Sequence, residues 1–271
     1  MGTEKFKTVI WTYVCFGIIT GLVVISGAAP DQIPLVDSTV PDWIPTKNAV
    51  HRGGYWMEYD GEKRSARYVV EMLTDESLSE TGVGRGSGFR TDVDVLSEAR
   101  AVDSDYRGSG YDRGHLAASA NHHLSRRDQI ATFRLSNTAP QTPECNRGPW
   151  KAIEDEVRDL VDDRGGLAIV VTAPLYIPDS EGRLTIQTIG RNRVWIPTHF
   201  GKTIIHYVGD ESRYSLENDR PDLVKTWIIP NTPTPGTPEE NLTTVDAFES
   251  ALGIDVFSFL RDDVENRIEK Q

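Results

Sequence analysis

A chain of 271 residues is long enough for one large domain or two small ones, with ample length for a core. Its formal net charge of −12 excludes a uniformly basic nucleic-acid binder, because polyanion affinity draws on lysine and arginine. Its only cysteines are Cys15 and Cys145, too few for a disulfide framework or a structural zinc site, so Cys145 reads as a small packing residue.

Residues 8–29 carry no charge, a run about as long as the ~20 residues that span a bilayer. Lys5 and Lys7 precede it and Asp31 follows, which argues for a cytoplasmic N-terminus. Two readings stand: a signal peptide cleaved among Ser26, Gly27, Ala28 and Ala29, or an uncleaved membrane anchor. The first predicts a secreted or periplasmic protein and the second a membrane-anchored one facing outside the cytoplasm. The run is apolar rather than arginine-rich, which weighs against a mitochondrial presequence.

Residues 30–50 hold Pro30, Pro34, Pro41 and Pro45 and predict an extended linker. A folded domain is expected over 51–265, with 266–271 as a tail. Tyr55–Tyr59 and Ala66–Leu73 predict a hairpin around Asp60-Gly61, followed by a glycine-rich loop at Gly82–Gly88. From Arg147 to Asp163, the residues Ile153, Val157, Leu160 and Val161 follow helical spacing with carboxylates opposite. Leu167–Thr172 predicts a buried strand, with further strands at Thr185–Ile189, Val194–Ile196, Lys202–Val208 and Thr226–Ile229. Pro230–Pro238 is a proline-rich loop and Val245–Leu252 a short helix. Hairpins, one long helix and later strands together predict an α+β domain.

Charge is unevenly placed. Between Arg85 and Arg134 there are eight arginines and no lysine against seven acidic residues. An arginine-rich face on an acidic body follows, with modest, salt-sensitive anion binding. Within that stretch lies Asp112-Arg113-Gly114-His115, which groups a base of near-neutral pKa, a permanent cation and a carboxylate. Such a grouping suits phosphate-ester chemistry. Leu116-Ala117-Ala118-Ser119-Ala120-Asn121 follows directly, then Leu135 to Gln141, Asn146-Arg147-Gly148-Pro149-Trp150 and Glu154.

In this order and at these spacings the residues resemble the DNA/RNA non-specific endonuclease family. Asp105 to Gly110 and Ile196-Pro197-Thr198-His199-Phe200 bring the resemblance closest to its endonuclease G branch. The similarity extends from about Gly53 to about Phe259. It implies a ββα-metal (His-Me finger) nuclease fold with a central, mainly antiparallel sheet flanked by helices. It also implies a metal-dependent, sequence-non-specific endonuclease acting on DNA and RNA, a hydrated Mg²⁺ (Mn²⁺ as the alternative), 5′-phosphate ends and a homodimer.

The resemblance gives His115 the role of general base and Arg113 that of phosphate contact. Asn146 would ligate the metal directly and Glu154 through water; spacing alone reads Asn146 as a helix N-cap instead. If the helix starts at Asn146, Glu154 lies two turns on, displaced by roughly 80°. Asn137 would position the histidine or the substrate. An upstream arginine stabilising transition-state charge is either Arg85 or Arg90, with Arg85 favoured by the alignment through Phe89. Asp112 reads as orienting an arginine or fixing a turn, and His122 and His123 as loop histidines before phosphate contacts. Two readings stand beside the nuclease: a metal-dependent phosphodiesterase on other substrates, and a non-catalytic nucleic-acid-binding protein. The glycine-rich Gly84–Gly88 lacks the lysine of a phosphate-binding P-loop.

Overall fold

The computed structural model describes residues 41, 44–46, 48–79, 83–86, 88–209, 216 and 219–269, all within the compact unit Ser38–Gln271. The apolar run 8–29 lies outside the described residues.

Seven strands form the main sheet: β1 (Val50–His51), β2 (Tyr55–Asp60), β3 (Ser65–Leu73), β6 (Leu167–Leu175), β9 (His199–Tyr207), β10 (Leu223–Pro230) and β11 (Leu242–Thr243), in that order and antiparallel throughout. Every residue of β6 is buried, because both faces of the sheet are covered. That burial explains the unbroken apolar run at its start. The expected strands extend further here, since β6 and β9 each pair on both sides.

The side-chain period of two divides the residues between two cores. On one face Val69, Leu73, Val170, Phe200, Ile204 and Trp227 pack against Ile153, Val157 and Val161 of the long helix α5 (Lys151–Arg164). On the other, Val70, Ile169, Val171, Ile205 and Tyr207 pack with Phe248 of α6 (Val245–Leu252) and Val264 and Ile268 of α7 (Asp262–Ile268). Ile44 and Ala49 join this second core, so the packed region takes in part of the expected linker, and α7 runs into the expected tail.

Shorter helices lie at Asp75–Leu78 (α1), Asp103–Tyr106 (α2), Arg126–Thr132 (α3) and Pro143–Cys145 (α4). Two small antiparallel pairs complete the fold: β4 (Asp112–His115) with β5 (Thr138–Gln141), and β7 (Gln187–Ile189) with β8 (Val194–Ile196). The pair β4–β5 followed by α5 is a ββα unit, and with the central antiparallel sheet it bears out the expected α+β, ββα-metal architecture.

The start of the long helix needs correction. Thr142 caps α4 by accepting from Cys145 N, and Asn146–Trp150 forms a wide turn broken at Gly148 (φ −99, ψ −113). Regular α5 begins only at Lys151, because Gly148 leaves helical geometry and Pro149 has no N–H to continue the ladder. Asn146 is therefore not an N-cap, and the 80° offset to Glu154 does not apply.

Candidate active site

Strand β4 carries the Asp-Arg-Gly-His stretch, and its register sets Asp112 opposite Gln141 and His115 opposite Thr138. Gly114 serves close approach rather than flexibility, since a Cβ there would collide with the Gln141 side chain. Gln141 in turn donates from Nε2 to Cys145 Sγ, and Cys145 is a fully buried packing residue.

The His115 imidazole sits between two rings, 4.9 Å from Phe89 and 5.0 Å from Phe133, centroid to centroid. Phe89 is held there because Arg90 N donates to Phe133 O and Leu135 N donates to Arg90 O. Burial first, then the Arg85 charge, lowers the His115 pKa to about 3, with Glu71 opposing. The ring is thus neutral at physiological pH and free to accept a proton. Its Nε2 is buried without a hydrogen-bond partner among the described residues.

Two arginines flank this aromatic cradle. Arg85 lies 5.8 Å from the Phe133 ring centroid and Arg113 5.7 Å from that of Phe89. Arg113 is also paired with Asp103 Oδ1 at 2.6 Å, which holds its guanidinium in place. Between the upstream candidates, Arg85 comes near His115, whereas Arg90 contributes backbone hydrogen bonds and an exposed side chain.

Asp112 joins β4 to the head of α5. Its Oδ2 accepts from Asn146 Nδ2 at 2.9 Å, and both its oxygens accept from Arg147. Burial raises the Asp112 pKa, but the hydrogen bonds and charge of Arg147, with Asn146, outweigh it and hold the carboxyl below its ordinary value. With the Asn146 amide nitrogen committed, its Oδ1 remains available. The Glu154 side chain is half-buried on α5, and its carboxylate has no hydrogen bond or ion pair among the described residues. Burial pushes its pKa up to about 7 against the pull of Lys202 and Arg158. One oriented amide oxygen and one carboxylate short of partners fit a hard divalent ion that keeps most of its water, as Mg²⁺ does. They are too few and too hard for a zinc cage.

Asn137 is not in the cleft. It is fully buried, its Oδ1 accepting from Ala117 N at 2.9 Å and its Nδ2 donating to Ala117 O and Thr132 O at 3.0 Å each. It clamps the segment that follows His115, and its complete burial keeps it from substrate. His122 lies in a loop as expected but is buried there, with Nε2 3.0 Å from Glu71 Oε1. His123 Nδ1 lies 2.9 Å from Val83 O.

A polar row under the site is absent from the sequence expectations. Glu71 (0% exposed) and Lys202 (2%) are buried on the α5-facing side of the sheet, among the apolar residues of that core. Glu71 accepts from Asn121 Nδ2 at 2.9 Å as well as facing His122, and Asn121 Oδ1 accepts from Arg158 of α5. Lys202 donates to Thr172 and stands 5.0 Å from the Trp150 ring centroid. Glu71 acts electrostatically on both His115 and Glu154. The signal in the sequence is a single charge inside each of two largely apolar stretches, Tyr68-Val69-Val70-Glu71-Met72-Leu73 and Phe200-Gly201-Lys202-Thr203-Ile204. Buried charges of this kind require partners.

A ββα finger that presents a neutral histidine, flanking arginines and an oriented asparagine ahead of its helix defines the class of ββα-metal nucleases. The chain belongs to the DNA/RNA non-specific endonuclease family, whose model matches residues 44–263. It is similar to the human protein named "Endonuclease G, mitochondrial", 38% identical over 209 residues, 75% of this chain and 67% of the relative. The Bos taurus protein of the same name is 34% identical over 254 residues, 88% of this chain and 82% of the relative. Among solved structures it is similar to the crystal structure of an EndoG/EndoGI complex, with a TM-score of 0.71 and 28% identity over 81% of this chain and 90% of that one. The chain is accordingly a hydrolase of the nuclease class.

These comparisons overturn the localisation expected from residues 8–29. The relatives are named as mitochondrial enzymes, and among the described residues no helix is long and apolar enough to cross a membrane. The expectation of a membrane-anchored or secreted protein is not carried forward.

Proposed function

We propose that the chain hydrolyses phosphodiester bonds in DNA and RNA without sequence preference, in a Mg²⁺-dependent reaction with His115 as general base. The observation that carries this reading is Asp112 gripping the Asn146 amide nitrogen, which leaves the amide oxygen beside the helix that bears Glu154. Asn146 would hold the ion directly and Glu154 through water. When bound, the ion supplies positive charge at the leaving oxygen of the scissile bond.

The protein's own residues do the rest. Neutral His115 accepts a proton from the attacking water, and the approach of a phosphodiester anion raises the basicity of that buried ring. Arg113, fixed by Asp103, meets a non-bridging phosphate oxygen, and Arg85 offsets the charge that develops on the phosphorane. Asn137 and Glu71 position these groups through Ala117, Asn121 and His122. Sequence preference is not expected, because the groups gathered here address phosphate and none is arranged to read base edges.

Supercoiled plasmid and a single-stranded RNA, each incubated in EDTA and after readdition of Mg²⁺ or Mn²⁺, test this reading. Cleavage of both polymers only with metal, leaving 5′-phosphate ends, is the expected result. Cleavage that persists in EDTA, or metal-dependent hydrolysis confined to mononucleotide esters, would overturn it.

A further inference from the structure

The turn between β7 and β8 is built more rigidly than a surface hairpin requires. Its four residues are Gly190-Arg191-Asn192-Arg193, closed by Arg193 N donating to Gly190 O at 3.2 Å. Buried Asp105 grips the turn through Asn192, accepting from its backbone N at 3.0 Å and from its Nδ2 at 2.9 Å. Gly190 has φ 65 and packs so tightly on Asp105 that a Cβ would collide with it.

That grip leads straight to the reaction centre. Asp105 belongs to α2, the helix whose Asp103 pairs with Arg113 and whose Tyr106 ring lies 5.4 Å from the Arg113 guanidinium carbon. The hairpin's Ile189 and Val194 share a small core with Tyr106 and Leu135, and Phe89, the ring against His115, packs on that core. The turn therefore has a fixed relation to the scissile site.

On this anchored turn stand two exposed arginines with no carboxylate within ion-pair distance among the described residues, Arg191 and Arg193. Arg193 adopts φ 58, a left-handed conformation that glycine occupies at less cost than any residue with a Cβ. An arginine held there is disfavoured by its backbone, so the side chain rather than the turn accounts for it. In a protein of charge −12, paired basic residues recur, among them Arg113 with Asp103 and Arg147 with Asp112. These two are presented instead to whatever lies outside.

Resting on the nuclease reading, we propose that the β7–β8 turn is a second nucleic-acid contact. In it Arg191 and Arg193 hold backbone phosphates of the polynucleotide beyond the scissile bond. The guanidinium fork matches phosphate oxygens, and a pre-fixed turn loses little freedom on binding. The contact tracks the backbone and carries no base preference.

The test is an Arg191→Ala/Arg193→Gly variant, in which glycine suits the left-handed position and keeps the turn. Fluorescence anisotropy in Ca²⁺ would follow binding of a long, phosphorothioate-protected oligonucleotide and of a tetranucleotide across a salt series. The long oligonucleotide should bind about tenfold more weakly, with its salt slope reduced by about 2, one for each arginine removed from a phosphate. Tetranucleotide affinity and hydrolysis of bis(p-nitrophenyl) phosphate should stay at wild-type levels, and an Arg191→Lys/Arg193→Lys variant should keep the wild-type slope. Unchanged affinity and slope for the long oligonucleotide would overturn the proposal, as would an equal loss for the tetranucleotide. A wild type that binds through these arginines yet cleaves nothing in Mg²⁺ would uphold the contact and overturn the nuclease reading instead.

Discussion

Asp112 accepts a hydrogen bond from Asn146 Nδ2 at 2.9 Å, across 34 residues of sequence, and thereby couples the strand of the histidine to the head of α5. A charged acceptor fixes the orientation of the amide, so on the proposed reading it would set which end faces the ion, much as carboxylates orient metal-bound histidines. Asp112→Asn should therefore raise the Mg²⁺ half-saturation of cleavage roughly 10- to 100-fold. Mn²⁺ binding followed by electron paramagnetic resonance should weaken in parallel. The melting temperature should change little, since Arg147, the other partner, is exposed.

Lys202 offsets Glu71 and Glu154 from beneath, and its own pKa is lowered by burial despite those two carboxylates. Removing it leaves buried carboxylate charge uncompensated. Lys202→Met is expected to destabilise by about 3 kcal/mol, which for a domain of this size lowers the melting temperature by roughly 10 °C. Adding Glu71→Gln should restore part of that loss, and thermal melts of the two single variants and the double would show it. A double variant less stable than Lys202→Met by the full effect of Glu71→Gln would mean that the charges do not interact.

Glu154 links stability to pH. Burial raises its pKa from 4.5 to about 7, so the folded chain binds more protons than the unfolded one between those values. Its contribution to stability is therefore lost as pH rises from about 4.5 to about 7 and stays lost above. In EDTA at about pH 8, Glu154→Gln should melt a few degrees above wild type, about 1 kcal/mol once its partial exposure is discounted. The gap should close on acidification to about pH 4.5, where both side chains are neutral.

Gly114→Ala should cost about 1–3 kcal/mol, because the new methyl has no room against Gln141. Shortening the obstacle with Gln141→Ala should make the glycine substitution nearly neutral in the double variant. Chemical denaturation of the four proteins gives the coupling energy directly. Equal costs with and without Gln141 would point to backbone conformation as the reason for the glycine.

What could be read from the sequence was what is local or fixed by motif spacing. The β2–β3 hairpin, α6 and the apolar side of α5 follow from short-range periodicity, and the family's spacing nominates His115, Asn146 and Glu154 as the candidate site. The rest depends on partners distant in the chain. Glu71 meets Asn121 and His122 only once β3 is central in the sheet, and Arg113 meets Asp103 only once α2 folds over β4. Asn137 and Asn146 look alike as motif asparagines, but one spends its polar atoms on backbone and the other keeps an oxygen free. The true start of α5 is hidden in the sequence because Gly148 breaks a helix whose apolar spacing is unaffected by where it begins.

On the proposed reading His115 acts as the base in a site whose metal and substrate are held by other residues. Single-turnover cleavage of an oligonucleotide by His115→Ala, with Mn²⁺ and oligonucleotide binding measured on the same protein, addresses it most directly. The expected rate is reduced about 10²- to 10⁴-fold while both affinities stay within a factor of about two of wild type. A His115→Ala rate within tenfold of wild type, or a loss of cleavage fully matched by weaker metal or oligonucleotide binding, would contradict it.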